Sequence, residues 1–216
     1  LFIFIIHIPF VFAKAKPASN VSSGVTPIEI LDKNFLSAFS DLNPASVNKP
    51  SVFDSLKLNS LGLSRQAFDC ALQGFNYLMR QGKLHNDRII SIIDFSLPSG
   101  RKRLFIIDLK NYKVLFNTYV SHGRNSGKEM ATKFSNTPES FESSLGFYIT
   151  QETYTGKHGF SLHLEGEERG INDNARSREI VMHSAEYVNE NFIRSQGFIG
   201  RSLGCPALPD NLHKPI

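Results

Sequence analysis

Between Arg88 and Val120 the chain repeats one pattern three times. Ile89, Ile90, Ile92, Ile93 and Phe95, then Leu104 to Leu109, then Val114 to Val120 are short β-rich runs parted by turn-forming residues, and helical periodicity is weak throughout. Such a succession specifies a sheet meander, with Asp108-Leu109-Lys110-Asn111-Tyr112 suited to a hairpin connection. Leu145 to Thr150 and Phe160 to Leu164 supply further strands. The polar stretch from Ser121 to Ser144 has few aliphatics and reads as a long loop region, which in a compact domain tends to carry function.

Helical spacing is confined to what precedes the meander. Ser64 is placed to cap a helix running to about Arg80, where Phe68, Ala71, Leu72, Phe75 and Leu78 recur at helical spacing and Gly82 can end it. A second amphipathic stretch covers Ile28 to Phe39. Earlier still, Leu1 to Ala13 is apolar but for His7 and Pro9, and Ala13-Lys14-Ala15 offers small residues where a signal peptidase reads. The run falls short of the roughly 20 residues that cross a bilayer as a helix, which favours a cleaved export signal over an anchor. The expected organisation is a signal at 1–15, a Pro-, Ser- and Gly-bearing linker at 16–27, a helical segment at 28–85 and a β domain at 86–216.

With 216 residues, 41% apolar and 20% charged, the chain can bury one real core, rich in its 18 phenylalanines, and is not a disordered polymer. A net charge of +4 gives a mild bias toward anionic surroundings such as a wall polymer or membrane surface. The two cysteines differ in setting: Cys70 falls among the helix-spaced apolar residues and reads as a small buried hydrophobe, so no disulfide with Cys205 is expected.

The chemistry concentrates near the end. Glu179-Ile180-Val181-Met182-His183-Ser184-Ala185-Glu186-Tyr187-Val188 is an apolar strand that delivers a histidine at its terminus and then enters a short helix. Gly200-Arg201-Ser202-Leu203-Gly204-Cys205-Pro206-Ala207-Leu208 sets a thiol between a residue free in φ and one with φ fixed, a constrained turn that can present sulfur beside amides. An unperturbed thiol is only a few per cent thiolate at neutral pH, so it needs a base, and His183 supplies one. The expected reaction is proton transfer from Cys205 to His183, thiolate attack on a carbonyl, and protonation of the departing amine, with the Gly204 and Cys205 amides stabilising the oxyanion. Spacing alone leaves open that Cys205 is simply a core residue.

Met182-His183-Ser184-Ala185 together with Gly200 to Ala207 resembles the catalytic signature of the L,D-transpeptidases, the YkuD-type family, in its murein L,D-transpeptidase catalytic domain subgroup. Asp94 to Ser99, Arg103 to Asp108, Val120 to Gly127 and Asn172 to Arg176 are similar too, so the resemblance covers roughly residues 60 to 210. It implies a mainly β fold, a β-sandwich or barrel of the L,D-transpeptidase type, with N-terminal helices, a short helix after the His strand, and a further strand beyond Pro215. It also implies an acyl enzyme on Cys205 formed from a tetrapeptide stem of peptidoglycan, with His183 as base, the Ser184 carbonyl orienting the imidazole, and Gly204 at an oxyanion position. The commoner family pattern has a histidine two before the cysteine and an arginine two after it, where this chain has Leu203 and Ala207.

Around that centre, His122 and Arg124 are expected to meet substrate, and Arg201 and Ser202 to bind a stem carboxylate or to support the nucleophile turn. His158 and His163 flank Gly159-Phe160-Ser161-Leu162 and make a poor chelate, so no metal and no cofactor are expected. The expected partner is the peptidoglycan stem peptide, with no nucleic acid, and with a membrane only through an uncleaved signal. The competing functions are an L,D-carboxypeptidase using the same acyl enzyme, an inactive wall-binding protein, and a sortase- or papain-like enzyme; papain order puts Cys before His, opposite to this chain.

Overall fold

The computed structural model describes residues 2–6 and 51–216. The expected linker at 16–27, the stretch from Ile28 to Phe39 and most of the apolar start lie outside the described residues. In chain order the elements are β1 (Phe2–Ile6), α1 (Val52–Ser55), α2 (Arg65–Arg80), β2 (Ile89–Asp94), β3 (Leu104–Asp108), β4 (Lys113–Thr118), β5 (Gly146–Gly156), β6 (Gly159–Gly166), β7 (Val181–Ser184), α3 (Glu190–Gln196) and β8 (Ala207–Leu208). The fold is mainly β with a few short helices, as the sequence led one to expect.

The strands form one sheet in the order β4-β3-β2-β1-β5-β6-β7-β8. The meander β2-β3-β4 is antiparallel throughout, while β1 runs parallel to β2 and antiparallel to β5. Its hairpin turn after β3 is built by Asp108, whose carboxylate accepts from the Lys110 and Asn111 amides at 3.1 and 2.9 Å and from Arg88 Nε at 2.7 Å.

Both faces of this sheet are covered, which explains why its strands read as nearly unbroken apolar runs rather than as a clean alternation. Ile90, Ile92, Phe105 and Ile107 point to one face, where they pack with Phe68, Ala71, Phe75 and Leu78 of α2. Ile93, Leu104 and Ile106, from the same strands, point to the other and pack with Val120, Tyr148, Leu164, Ile180 and Met182. The helix is bounded as its residues dictate: Ser64 Oγ accepts from the Ala67 amide at 3.0 Å, and Gly82, at φ +67°, takes the chain out of the last turn. Cys70 on this helix is half-buried, and both cysteines are free thiols.

Two features of the second half place the site. β5 and β6 form a long hairpin, paired from Tyr148↔Gly166 to Gly156↔Gly159 with a register shift between Thr150 and Thr153, and with Lys157 and His158 as its turn. β6 then pairs antiparallel with β7 (Ser161↔His183), and β7 pairs parallel with β8 (His183↔Ala207). The expected short helix after the His strand is α3, capped by Asn189 and closed by Gly197 in the left-handed region. Among the described residues, no helix is long and apolar enough to cross a membrane.

Candidate active site

His183 is the third of the four residues of β7, whose first three are buried, and only 5% of its surface is exposed. Its Nδ1–H donates to the Ser184 carbonyl at 2.7 Å, which fixes the ring and leaves Nε2 as the basic nitrogen. Burial, and after it the nearby His158 and His213, hold the imidazole below its ordinary proton affinity, while the Ser184 carbonyl works the other way. The ring is therefore neutral at neutral pH.

Cys205 lies two residues before Ala207, the register partner of His183, and both side chains line one cleft of about 360 Å³. Ser184, Tyr187, Arg201, Ser202 and His158 also wall this cleft. Burial pushes the Cys205 thiol up, against the Val181 amide 3.5 Å from Sγ and the Arg178 guanidinium, which both favour the thiolate. Resting sulfur is thus a protonated thiol, donating weakly to the Glu179 carbonyl at 3.6 Å.

The turn that carries Cys205 is held by one hydroxyl. Ser202 Oγ donates to the Cys205 carbonyl at 2.6 Å and accepts from the Gly204 amide at 3.1 Å. Gly204 takes φ +129°, and a Cβ there would lie 3.0 Å from the Glu142 carbonyl, so the turn admits only glycine without strain. The Gly204 amide is consequently engaged inside the turn, and the Cys205 amide is left as the backbone donor at the sulfur.

The loop expected to carry function, residues 121–144, runs alongside. Gly123 bridges in parallel to Ser202, the Ser202 amide donates to the His122 carbonyl, and the Arg124 amide donates to Ser202. His122 has no exposed surface. Its Nδ1 accepts from Arg103 Nη2 at 2.6 Å and its Nε2–H donates to the Gly127 carbonyl at 3.3 Å, and burial together with the Arg103 charge pushes its pKa down to about 3. Arg103 is itself fully buried, bonded also to the Val120 and Leu97 carbonyls, with its pKa lowered by burial to about 9. Arg124 is exposed, its guanidinium 4.3 Å over the Phe141 ring. Arg201 is exposed on the cleft, with Nη1 donating to the Arg124 and Gly127 carbonyls at 3.0 Å each. The structure thus brings Cys205, His183, Ser184, Gly204, Ser202 and Arg201 together, sets Arg124 on the surface beside them, and puts His122 beneath.

Four residues for which the sequence assigns no role at the thiol complete the surroundings. Arg178 binds the Ser135 and Glu142 carbonyls at 2.7 Å each and the Ser144 hydroxyl at 2.5 Å, tying the long loop to the thiol's neighbourhood. Ser121 Oγ accepts from the Ala207 amide at 3.1 Å, fixing the start of β8. Tyr187 closes the cleft, with its ring filling the space a Gly200 side chain would need and its phenol, hydrogen-bonded to Ser121, pushed up to about 12 by burial and the Cys205 charge. His158 stacks on His183 with centroids 4.6 Å apart. Tyr187 lies in the segment that carries His183 and Ser121 in a stretch that resembles the family, and His158 reads in the sequence only as a poor metal ligand. His163, by contrast, stacks on Tyr154 away from the cleft, and among the described residues no group of three or more His, Cys, Asp or Glu is placed to hold a metal.

Comparison with known proteins agrees with this geometry. No curated protein and no solved structure matches the chain. A family model described as the L,D-transpeptidase catalytic domain matches residues 59–216, which takes in α2, every strand from β2 onward, and the whole cleft. The chain belongs to the L,D-transpeptidase catalytic domain family.

Proposed function

We propose that the chain is a cysteine-dependent L,D-transpeptidase acting in the cell envelope on the tetrapeptide stems of peptidoglycan. The observation that carries this reading is the placement of His183 near the end of β7 and of Cys205 in the turn leading into β8, its parallel neighbour, as walls of one cleft, with Nδ1 of the imidazole already committed to Ser184. As the thiol attacks the stem carbonyl, its proton passes to His183 Nε2 and a C–S bond forms. The imidazolium then gives that proton to the departing D-alanine nitrogen as the C–N bond breaks, leaving a thioester on Cys205. An acceptor amine, deprotonated by the same imidazole, attacks the thioester and returns the thiol. Because both groups rest neutral, the proton moves during attack rather than beforehand. The Cys205 amide supplies the backbone donor for the oxyanion. Arg201, exposed at the rim, offers a partner for a stem carboxylate. His122 serves the site from below, bracing the Gly127 carbonyl that Arg201 also grips. Envelope location rests on the family.

The test is intact mass after exposure to a carbapenem, whose strained carbonyl presents the thiol with the same electrophile. A single adduct is expected in the parent chain and in Cys70→Ala, and none in Cys205→Ala or His183→Ala on the same timescale. An adduct that survives Cys205→Ala refutes the assignment of the nucleophile. Incubation with disaccharide-tetrapeptide then separates amine transfer from hydrolysis by product mass.

A further inference from the structure

We infer that His158, at the tip of the β5–β6 hairpin, is a positioning residue for the general base, closing one face of the His183 imidazole to water and fixing its rotation. This rests on the cysteine chemistry proposed above and names a participant outside the nucleophile and base motifs.

The sheet register brings the two rings together. β6 runs antiparallel to β7 with Ser161 opposite His183, so the turn three residues before Ser161 projects beyond the end of β7, where the imidazole stands. Gly159, at φ +73°, allows the Lys157-His158 turn to fold tightly against its partner Gly156. The His158 ring then lies on His183 with a centroid separation of 4.6 Å and an interplanar angle of 27°. His158 is itself exposed to solvent, so the stack is not a by-product of core packing. A single hydrogen bond from Nδ1 to Ser184 holds one edge of the His183 ring but leaves it able to rock, and a second ring pressed on its face removes that freedom.

Electrostatics favour the same conclusion. The titratable and charged groups around His183 are His158 on the hairpin, His213 on the C-terminal turn, and Cys205, Glu186, Tyr187 and Arg201 around the cleft. Of these, His158 and His213 oppose its protonation. A proton on His183 meets both less water and a neighbouring imidazole able to carry like charge.

The experiment uses the whole chain in two formats. In a Cys205→Ala background, the His183 ring is titrated by NMR in the parent, His158→Ala and His158→Phe. In the active protein, carbapenem acylation is followed against pH for the same three side chains. His158→Ala is expected to move the His183 titration and the acid limb of acylation together to higher pH, and to lower the plateau rate by about tenfold. His158→Phe keeps the stacked face, so its plateau stays near the parent value while the acid limb still moves up as the charge is lost. Unfolding midpoints should be unchanged, since the ring contributes to no core. If His158→Ala leaves both titration and acylation profile at the parent values, the inference is overturned. Absence of acylation in the parent chain sinks the cysteine chemistry instead, and the NMR titration still reads the ring contact.

Discussion

At the turn that carries Cys205, the Ser202 hydroxyl bonds both the Gly204 amide and the Cys205 carbonyl, so one side chain sets the two peptide planes that flank the sulfur. Ser202→Ala should cost about 1 kcal/mol per lost bond in stability yet slow carbapenem acylation by roughly tenfold or more, because a small tilt of the turn misplaces both thiol and amide. Equal acylation rates in parent and variant would show that the turn holds without it. His122 makes a different kind of prediction. The unfolded ring takes up a proton near 6.5 and the folded one only at about 3, so between those values the unfolded chain holds more protons and stability falls as pH falls. The loss over that window is on the order of 4 kcal/mol at most. His122→Gln can still accept from Arg103 and donate to Gly127 but cannot titrate, and urea unfolding across pH 7 to 3 should show a flatter stability curve for it. His183 is shifted in the same direction, so acylation should persist below the ordinary imidazole range and fall only as that ring is protonated.

Elements were legible wherever a local device bounded them. Ser64 as a cap, Gly82 as a stop and Asp108 to Tyr112 as a turn each act within a few residues, and each appears where the sequence put it. Pairing was not legible in this way. Nothing between Phe160 and Leu208 states that β6 meets β7 antiparallel and that β7 meets β8 in parallel, since those registers depend on which apolar faces find one another. That is why His158 looked only like a poor metal ligand in the sequence and stacks on His183 in the fold. The separation of the two cores by the sheet yields a further expectation. α2 packs on the face away from the core that Cys205 adjoins, so Ser64→Ala should lower stability by about 1 kcal/mol in thermal or urea unfolding while leaving the acylation rate of the folded protein unchanged.

For the molecule as a whole, the sheet is the frame and the long loop 121–144 is fastened to it near the thiol by Arg178, through the Ser135 and Glu142 carbonyls and the Ser144 hydroxyl. Arg178→Met removes those bonds and leaves buried acceptors unmet, so limited proteolysis should cut within 135–144 faster and acylation should slow, whereas an unchanged cleavage pattern would mean that the loop holds by other contacts. The sequence by itself determined the mainly β character, the capped helix and the extent of the long loop, and it singled out Cys205 and His183 as candidates. Each is written in side-chain type and local periodicity. Tertiary structure alone decided the rest: that the Gly204 amide is taken by Ser202, that His122 is buried on Arg103, and that Phe2–Ile6 forms a strand between β2 and β5. A polar side chain reads alike as a surface contact and as a buried brace. Only the packing of distant segments, which fixes what surrounds each group, separates such pairs.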